Sequence, residues 1–113
     1  MIYSAREARQ LALDKRDVFD ELAIMEPMIL DAITDGHLEV TIGPDSDDSV
    51  TTGFTNSSTA YQAYSDPLTY RTDAHKKVLA QMNEVISHFQ SMGYTITREK
   101  VDGQNKFNWL VSW

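Results

Sequence analysis

The chain has 113 residues, no cysteine and a formal net charge of −7 at pH 7. Its hydrophobic content of 42% beside 24% charged residues is typical of a globular protein and excludes wholesale disorder. The length predicts a single domain over residues 1–113, and the lack of cysteine excludes disulfides, a thiolate nucleophile and cysteine-ligated zinc.

The negative charge is concentrated in the first two-thirds of the sequence. Residues 1–36 carry four basic and eight acidic side chains, residues 37–72 carry one and five, and residues 73–113 carry five and four. A surface of this sign repels a phosphate backbone, so we expect no nucleic-acid partner. No apolar run reaches the roughly 18 residues that cross a membrane, so we expect no membrane partner. Charged side chains from Arg6 onward also interrupt any candidate signal sequence.

The first predicted element is a long helix over residues 1–36 with a bend inside it. Ser4 and Glu7 have the spacing of a capping box, in which both side chains satisfy free N–H groups at the helix start. Gly36 is a stop signal. Because Pro27 removes one backbone hydrogen bond, the sequence predicts either one kinked helix or two helical segments at an angle.

An apolar stripe along this helix has nearly heptad spacing, and Lys15 interrupts it. The stripe consists of Leu11, Val18, Leu22, Met25, Ile29 and Ile33. Packing of the stripe on the protein's own sheet is the favoured interpretation, because the pattern lasts too few heptads for a coiled coil. A seam between subunits is the alternative.

A short strand is predicted over residues 37–43, where apolar and polar residues alternate before a Gly-Pro pair. Residues 44–72 are predicted as a loop or insertion, which is long for a small domain and therefore a candidate binding loop. Within this segment, residues 50–55 have the composition of a weak strand. The next helix can begin after Asp66 or after Thr72.

Three tyrosines in this loop favour a partner surface, because tyrosine is enriched at protein interfaces. Folding of these rings back over the sheet is an equally weighted alternative. The predicted partner-binding residues are Phe54, Tyr61, Tyr64, Tyr70 and Trp113.

One acidic segment is the nearest approach to a metal site. Asp45, Asp47 and Asp48 resemble the opening of a calcium loop. Val50, however, stands where that loop needs glycine, and Asn56 stands where it needs a bidentate glutamate. A solvated acidic loop is therefore the preferred interpretation, and we predict no metal site.

No set of residues predicts a reaction. His37, His75 and His88 are too far apart in sequence to form a local ligand pair. The sequence also has no nucleophile elbow, no phosphate-binding loop and no dinucleotide-binding fingerprint. We therefore predict no catalytic residue, no cofactor and no enzymatic activity.

Residues 73–113 predict a helix followed by a β-hairpin. Apolar residues recur at three- and four-residue steps from Val78 to Met92, and Gly93 then ends the helix. The last strand has the clearest alternation in the chain and runs to Trp113.

Together these elements predict an α+β two-layer sandwich in the order α(kinked)-β-loop-α-β-β, with a three-stranded, mainly antiparallel sheet. The predicted core comprises Leu22, Met25, Ile29, Val40, Leu79, Met82, Ile86, Phe89, Ile96, Trp109 and Val111. Phe107, Trp109 and Trp113 are also expected to pack under the helices, and contact with a partner subunit is the alternative.

The C-terminal residues resemble small proteins encoded by tailed bacteriophages. The matching residues are Phe89, Gly93-Tyr94-Thr95-Ile96 and Phe107-Asn108-Trp109-Leu110-Val111-Ser112-Trp113, together with the opening Ser4-Ala5-Arg6-Glu7-Ala8-Arg9. The resemblance covers part of the chain, and its motif is structural rather than catalytic.

This resemblance implies a virion component made in the host cytoplasm. Such a decoration, neck or tail subunit would be present in many copies and would bind other virion proteins or itself. The alternative is an acidic phage-encoded inhibitor that occupies a basic surface of a host protein, supported by the negative charge of residues 1–72.

Overall fold

A computed structural model describes residues 4–46 and 49–113. Its helices and strands are α1 (Ala5–Thr34), β1 (Glu39–Ile42), α2 (Ser58–Ser65), α3 (Asp73–Ser91), β2 (Thr95–Lys100) and β3 (Phe107–Ser112). The predicted α+β class with three antiparallel strands is confirmed. The short helix α2 is an addition that the sequence patterns did not indicate.

The strands form one sheet in the order β1-β3-β2, so the last strand in sequence lies in the middle. Val111 of β3 is opposite Val40 of β1 and Ile96 of β2, and Trp109 is opposite Ile42. Because side chains alternate across a strand, these five residues share one face of the sheet. The other face carries mainly threonine, serine and glutamate side chains.

The helices pack on the apolar face of the sheet. α1 contacts α3 and β1, α3 contacts β2, and α2 contacts α3. The largest completely buried apolar side chains between these layers are Trp109, Phe89, Phe107, Met25, Ile42 and Met82. The hairpin and α3 therefore form the centre of the fold, as the alternation in residues 73–113 predicts.

The predicted core residues lie in this layer. Seven of them are buried: Met25, Ile29, Met82, Phe89, Ile96, Trp109 and Val111. Four others are partly buried against the same cluster: Leu22, Val40, Leu79 and Ile86. Phe107 and Trp109 are buried, as the favoured interpretation expects, whereas Trp113 is partly exposed.

The helix α1 runs without interruption through Pro27. At its start, the Ser4 Oγ accepts a hydrogen bond from the Glu7 N–H at 3.2 Å, so the Ser4 half of the predicted capping box is present. The Glu7 carboxylate instead accepts from the Ser4 hydroxyl at 3.0 Å, where the box predicts the Ser4 N–H as donor. Pro27 leaves the carbonyl of Ala23 without its helical partner. Because both residues are exposed, water can bind that carbonyl, and the helix need not divide into two segments.

The segment predicted as a loop contains α2. The Ser57 Oγ accepts from the Ala60 N–H at 3.2 Å and caps the first turn. Only two alanines, Ala60 and Ala63, are buried in this eight-residue helix, so no stripe of large apolar residues marks it in the sequence. α3 begins after Thr72, the second of the two predicted starts.

The weak strand predicted over residues 50–55 is absent. A turn occupies residues 53–56 instead, and the side chains of two threonines stabilise it. Thr52 N donates to Thr55 Oγ1 at 2.7 Å, and Thr55 N donates to Thr52 Oγ1 at 3.0 Å. Such bonds from side chain to nearby backbone compete with strand pairing, and here they prevail.

Candidate functional site

The five predicted partner-binding residues do not form one surface. Phe54 is buried in the core. Tyr61 and Tyr64 are half-buried and pack against core residues. Tyr70 and Trp113 are the exposed members, at 37% and 36% of their surface. A partner can therefore contact these last two rings most readily.

Tyr70 and Trp113 lie at opposite ends of α3. The ring of Tyr70 is 5.3 Å from that of His75 in the first turn of α3. The ring of Trp113 is 6.0 Å from that of Tyr94, which follows the last turn. A 19-residue helix is about 28 Å long, so the two rings belong to separate surfaces. Their role in partner binding stays a prediction.

Tyr64 has a packing role in this fold. Its ring meets Phe107 edge-on at 5.3 Å, and the guanidinium of Arg98 lies 4.6 Å from the ring centre. The hydroxyl is buried without a hydrogen-bond partner among residues 4–46 and 49–113. Burial raises the pKa of the Tyr64 hydroxyl, so the ring stays neutral under the cation.

The most unusual polar group is Glu21, a carboxylate on the inner face of α1 that is only 2% exposed. Trp109 Nε1 donates to Oε2 at 2.8 Å, and the Phe54 N–H donates to Oε1 at 3.2 Å. The Thr52 hydroxyl also donates to Oε2. Glu21 therefore joins α1, the turn at residues 53–56 and the central strand β3.

The environment of Glu21 favours an anchor over a catalyst. Burial raises the pKa of this carboxyl, and the hydrogen bonds from Thr52 and Trp109 oppose that rise. A perturbed carboxyl beside a groove is a candidate acid or base, and Glu21 borders a groove of about 430 Å³ with Asp17 and Lys77. Both of its oxygens, however, already accept bonds from groups that hold the fold together.

The outer face of α1 exposes large apolar side chains. Phe19 is 61% exposed and Leu30 is 62% exposed. Ala12 and Ala23 are also exposed and lie on the same face, since the steps of seven, four and seven residues from Ala12 through Phe19 and Ala23 to Leu30 make about two, one and two helical turns. These four residues are called the outer stripe below. Sequence reasoning missed it because the richer apolar stripe of α1 packs on the core.

The first turns of α1 project beyond the rest of the fold. Every residue from 5 to 13 is exposed, including Leu11 at 46% and Leu13 at 39%. The ion pairs that tie α1 to α3 begin at Asp14, whose Oδ1 lies 2.7 Å from Lys77 Nζ. Residues 5–13, called the N-terminal arm below, therefore extend for about 14 Å without burying their apolar side chains.

An acidic groove lies where α1 meets β1. Its volume is about 410 Å³, and neither lysine nor arginine lines it. The charged lining residues are Asp31, Asp35, Glu39 and Asp45, and His37 lies beside them. Asn108 Nδ2 donates to Asp45 Oδ2 at 3.0 Å, which fixes one of the four carboxylates.

The remaining candidate residues do not come together. No group of three His, Asp or Glu side chains in residues 4–46 and 49–113 is placed to hold a metal ion. Asp47 and Asp48 of the calcium-like segment lie outside the described residues. His75 Nδ1 is 2.6 Å from the Thr72 hydroxyl, and His88 Nε2 is 3.2 Å from Glu26 Oε1. No helix in the described ranges is long and apolar enough to cross a membrane.

The geometry thus offers an anchored core carboxylate, an exposed apolar helix face and an acidic groove. The first holds the fold together, and the other two are surfaces that another protein can contact. Comparisons with protein-family models, curated proteins and solved structures found no match to this chain.

Proposed function

We propose that this chain is a non-enzymatic, virion-associated protein of a tailed bacteriophage. It acts by protein–protein binding, as a decoration, neck or tail component. The phage setting is supported by the resemblance of the segments around Phe89, Gly93 and Phe107. The binding mode is supported above all by Phe19 and Leu30, which expose large apolar side chains on one helix face.

Alignment of the exposed side chains is what favours binding. Single apolar residues on a surface are ordinary. Phe19 and Leu30 share one face of a helix, however, and an amphipathic helix face of this kind is a recurrent recognition element. The engagement of Glu21 in the core also favours a binding role over catalysis, because the perturbed carboxyl has no free oxygen to offer a substrate.

The test is incorporation into particles. Virions of a phage that encodes this chain are purified by density gradient, washed in high salt and analysed by quantitative mass spectrometry. The expected result is a fixed copy number per particle. Particles of normal infectivity that lack the chain would refute the proposal.

Matched variants locate the surface that contacts the virion. Tyr70→Ala and Trp113→Ala remove the exposed members of the predicted partner-binding set, and at least one of them is expected to reduce incorporation. Leu68→Ala is the control, because Leu68 is 80% exposed and belongs to neither the predicted set nor the outer stripe.

The acidic groove favours a second candidate, an inhibitor that occupies a basic surface of a host protein. Its four carboxylates are not balanced by lysine or arginine within the groove. Charge complementarity of this kind steers association and weakens as salt screens it. A host protein that binds the chain at low salt, dissociates at high salt and fails to bind Asp31→Asn would favour this candidate. Binding that is unchanged in Asp31→Asn would refute the role of the groove.

A further inference from the structure

We propose that the outer stripe is the seam of an antiparallel homodimer, in which the N-terminal arm of each copy lies along the C-terminal half of α1 in the other. This inference rests on the proposed binding function and names the chain itself as one partner. Three features of α1 support it: the order of large and small residues, the order of charges and the projecting arm.

The outer stripe is complementary to itself in one register. If two α1 helices lie antiparallel with their midpoint at position 21, Phe19 of each copy faces Ala23 of the other, and Leu30 faces Ala12. Each large side chain thus opposes a small one. Such alternation lets two helices pack closely, as interdigitated layers require. A parallel alignment in register would place Phe19 against Phe19 and leave the alanines opposite each other.

The charges of α1 favour the same orientation. Residues 5–16 contain four basic and two acidic side chains, whereas residues 17–34 contain five acidic side chains and no basic one. Glu21 is buried in the core, so four of these five acidic side chains are exposed. This order opposes the helix dipole, which favours acidic residues at the start and basic ones at the end. In an antiparallel pair each basic half lies beside an acidic half, so the unfavourable order within one helix becomes favourable between two.

One specific ion pair follows from the register. Lys15 and Glu26 lie on the same edge of the outer stripe, and their midpoint nearly coincides with that of the stripe. Two-fold symmetry therefore places Lys15 of each copy near Glu26 of the other. Within the chain Lys15 pairs with Glu84 and Glu26 with His88, but these contacts lie at the surface and can be shared or exchanged.

The N-terminal arm supplies the third feature. A helical segment as short as residues 5–13 gains little stability in water without packing. In the proposed pair, the arm lies beside Leu30 and Ile33 of the second copy, which are 62% and 41% exposed. The seam would therefore cover Phe19 and Leu30, the two most exposed large apolar side chains of α1.

Disulfide cross-linking tests the register directly, because the chain has no native cysteine. Ala12→Cys and Leu30→Cys proteins are mixed and mildly oxidised. We expect a cross-linked dimer in the mixture and none in either protein alone. In the antiparallel pair two copies of position 30 are about 27 Å apart along the axis, whereas a disulfide needs Cα atoms within about 7 Å. Thr95→Cys is the control and should form no cross-link, because Thr95 lies on the face of the sheet that points away from the helices.

Charge reversal tests the seam without cross-linking. Lys15→Glu or Glu26→Lys alone places like charges together twice per dimer, and each is expected to weaken dimerisation about tenfold in sedimentation equilibrium. The double variant restores opposite charges and should recover the wild-type affinity. Lys100→Glu, on β2, is the matched control and should change nothing. Circular dichroism establishes that each variant is folded.

The outcomes separate this inference from the proposed function. A wild-type chain that is monomeric at every concentration, or cross-links that form in a single-cysteine protein alone, would overturn the seam while leaving virion incorporation open. A mixture that fails to cross-link would also overturn it. A dimer with the expected cross-link that is absent from purified virions would instead refute the virion role and leave the seam intact.

Discussion

The inner face of α1 buries a carboxylate, whereas its outer face exposes large apolar side chains. Glu21 is 2% exposed and accepts hydrogen bonds from three groups, while Phe19, two positions earlier, is 61% exposed. Both arrangements reverse the usual preference of the residue type. The burial of the Glu21 carboxylate is compensated within the chain, because its oxygens accept hydrogen bonds from three donors. The exposed apolar side chains of the outer face are not covered by any group within the described residues. We therefore look for a partner on the outer face.

The same contrast separates residues that stabilise the monomer from residues available for binding. Side chains facing the core should give large changes in the free energy of unfolding when truncated. Side chains of the outer stripe should give small ones as long as the chain is kept monomeric. Phe19→Asp provides that monomeric background, because it introduces a charge into the proposed seam.

The largest expected effect follows from Glu21→Ala. Removal of the carboxylate leaves Trp109 Nε1 and the Phe54 N–H without an acceptor, and each orphaned donor costs about 1 to 3 kcal/mol. With the cavity added, we expect a loss of about 3 to 5 kcal/mol in urea denaturation. A loss below about 1 kcal/mol would show that Glu21 is not an anchor.

Glu21→Gln is the control for shape. The amide oxygen can still accept from Trp109 Nε1, but its NH₂ group then faces the Phe54 N–H, so one donor remains unsatisfied. We expect an intermediate loss of about 1 to 3 kcal/mol. Tryptophan fluorescence should stay close to that of the wild type, because the Trp109 bond is retained.

The second test compares two apolar truncations on opposite faces of α1 in the Phe19→Asp background. Met25→Ala removes a completely buried side chain and should cost about 2 to 5 kcal/mol. Leu30→Ala removes an exposed one and should change stability by less than about 0.5 kcal/mol. Equal losses at the two positions would contradict the assignment of Leu30 to an interface.

The third test uses pH. Because burial raises the pKa of Glu21, the folded chain binds more protons than the unfolded chain between the unperturbed and the raised pKa. The contribution of Glu21 to stability is therefore greatest below this window and falls as pH rises through it. One linked proton limits the slope to about 1.4 kcal/mol per pH unit. The difference in unfolding free energy between wild type and Glu21→Gln should therefore fall as pH rises through the window, with a slope no steeper than this limit. A difference that does not change with pH would refute the raised pKa.

The sequence predicted the fold where patterns are long and failed where they are short. The alternation ending at Trp113 and the stripe from Val78 to Met92 are repeated often enough to identify β3 and α3. In helix α2 only Ala60 and Ala63 are buried, so its sequence carries no comparable apolar pattern. Residues 50–55 look like a strand, but hydrogen bonds from Thr52 and Thr55 hold a turn.

The site was harder to predict than the fold because it depends on contacts between distant residues. Nothing near Glu21 in sequence distinguishes it from Asp20, which is exposed. Its donors come from Thr52, Phe54 and Trp109, and the fold alone brings them together. The tyrosines of the loop were selected for their interface propensity, yet Tyr61 and Tyr64 contribute mainly to packing. The outer stripe is identified by the exposure of its side chains in the structure and not by residue type.

The smallest effect is expected from the loss of a helix cap, and two caps of similar geometry can be compared. The Ser4 Oγ accepts from the Glu7 N–H at 3.2 Å at the start of the arm, and the Thr72 Oγ1 accepts from the His75 N–H at 3.3 Å at the start of α3. Loss of such a cap costs about 1 kcal/mol when the helix is part of the cooperative unit. In the Phe19→Asp background, Thr72→Ala should show that cost. Ser4→Ala should change global stability by less than about 0.5 kcal/mol, because the arm can fray without unfolding the core.

The otherwise wild-type chain should respond differently to Ser4→Ala. If the arm is ordered against a second copy, fraying it removes contacts from the seam, and the cost of the lost cap appears as weaker dimerisation. Each dimer contains two arms and so loses two caps, and sedimentation equilibrium should then show about a thirtyfold increase in the dissociation constant, equivalent to about 2 kcal/mol. Thr72→Ala should leave that constant unchanged, because α3 stays folded in both states. An unaltered constant in Ser4→Ala would mean that the arm lies outside the interface.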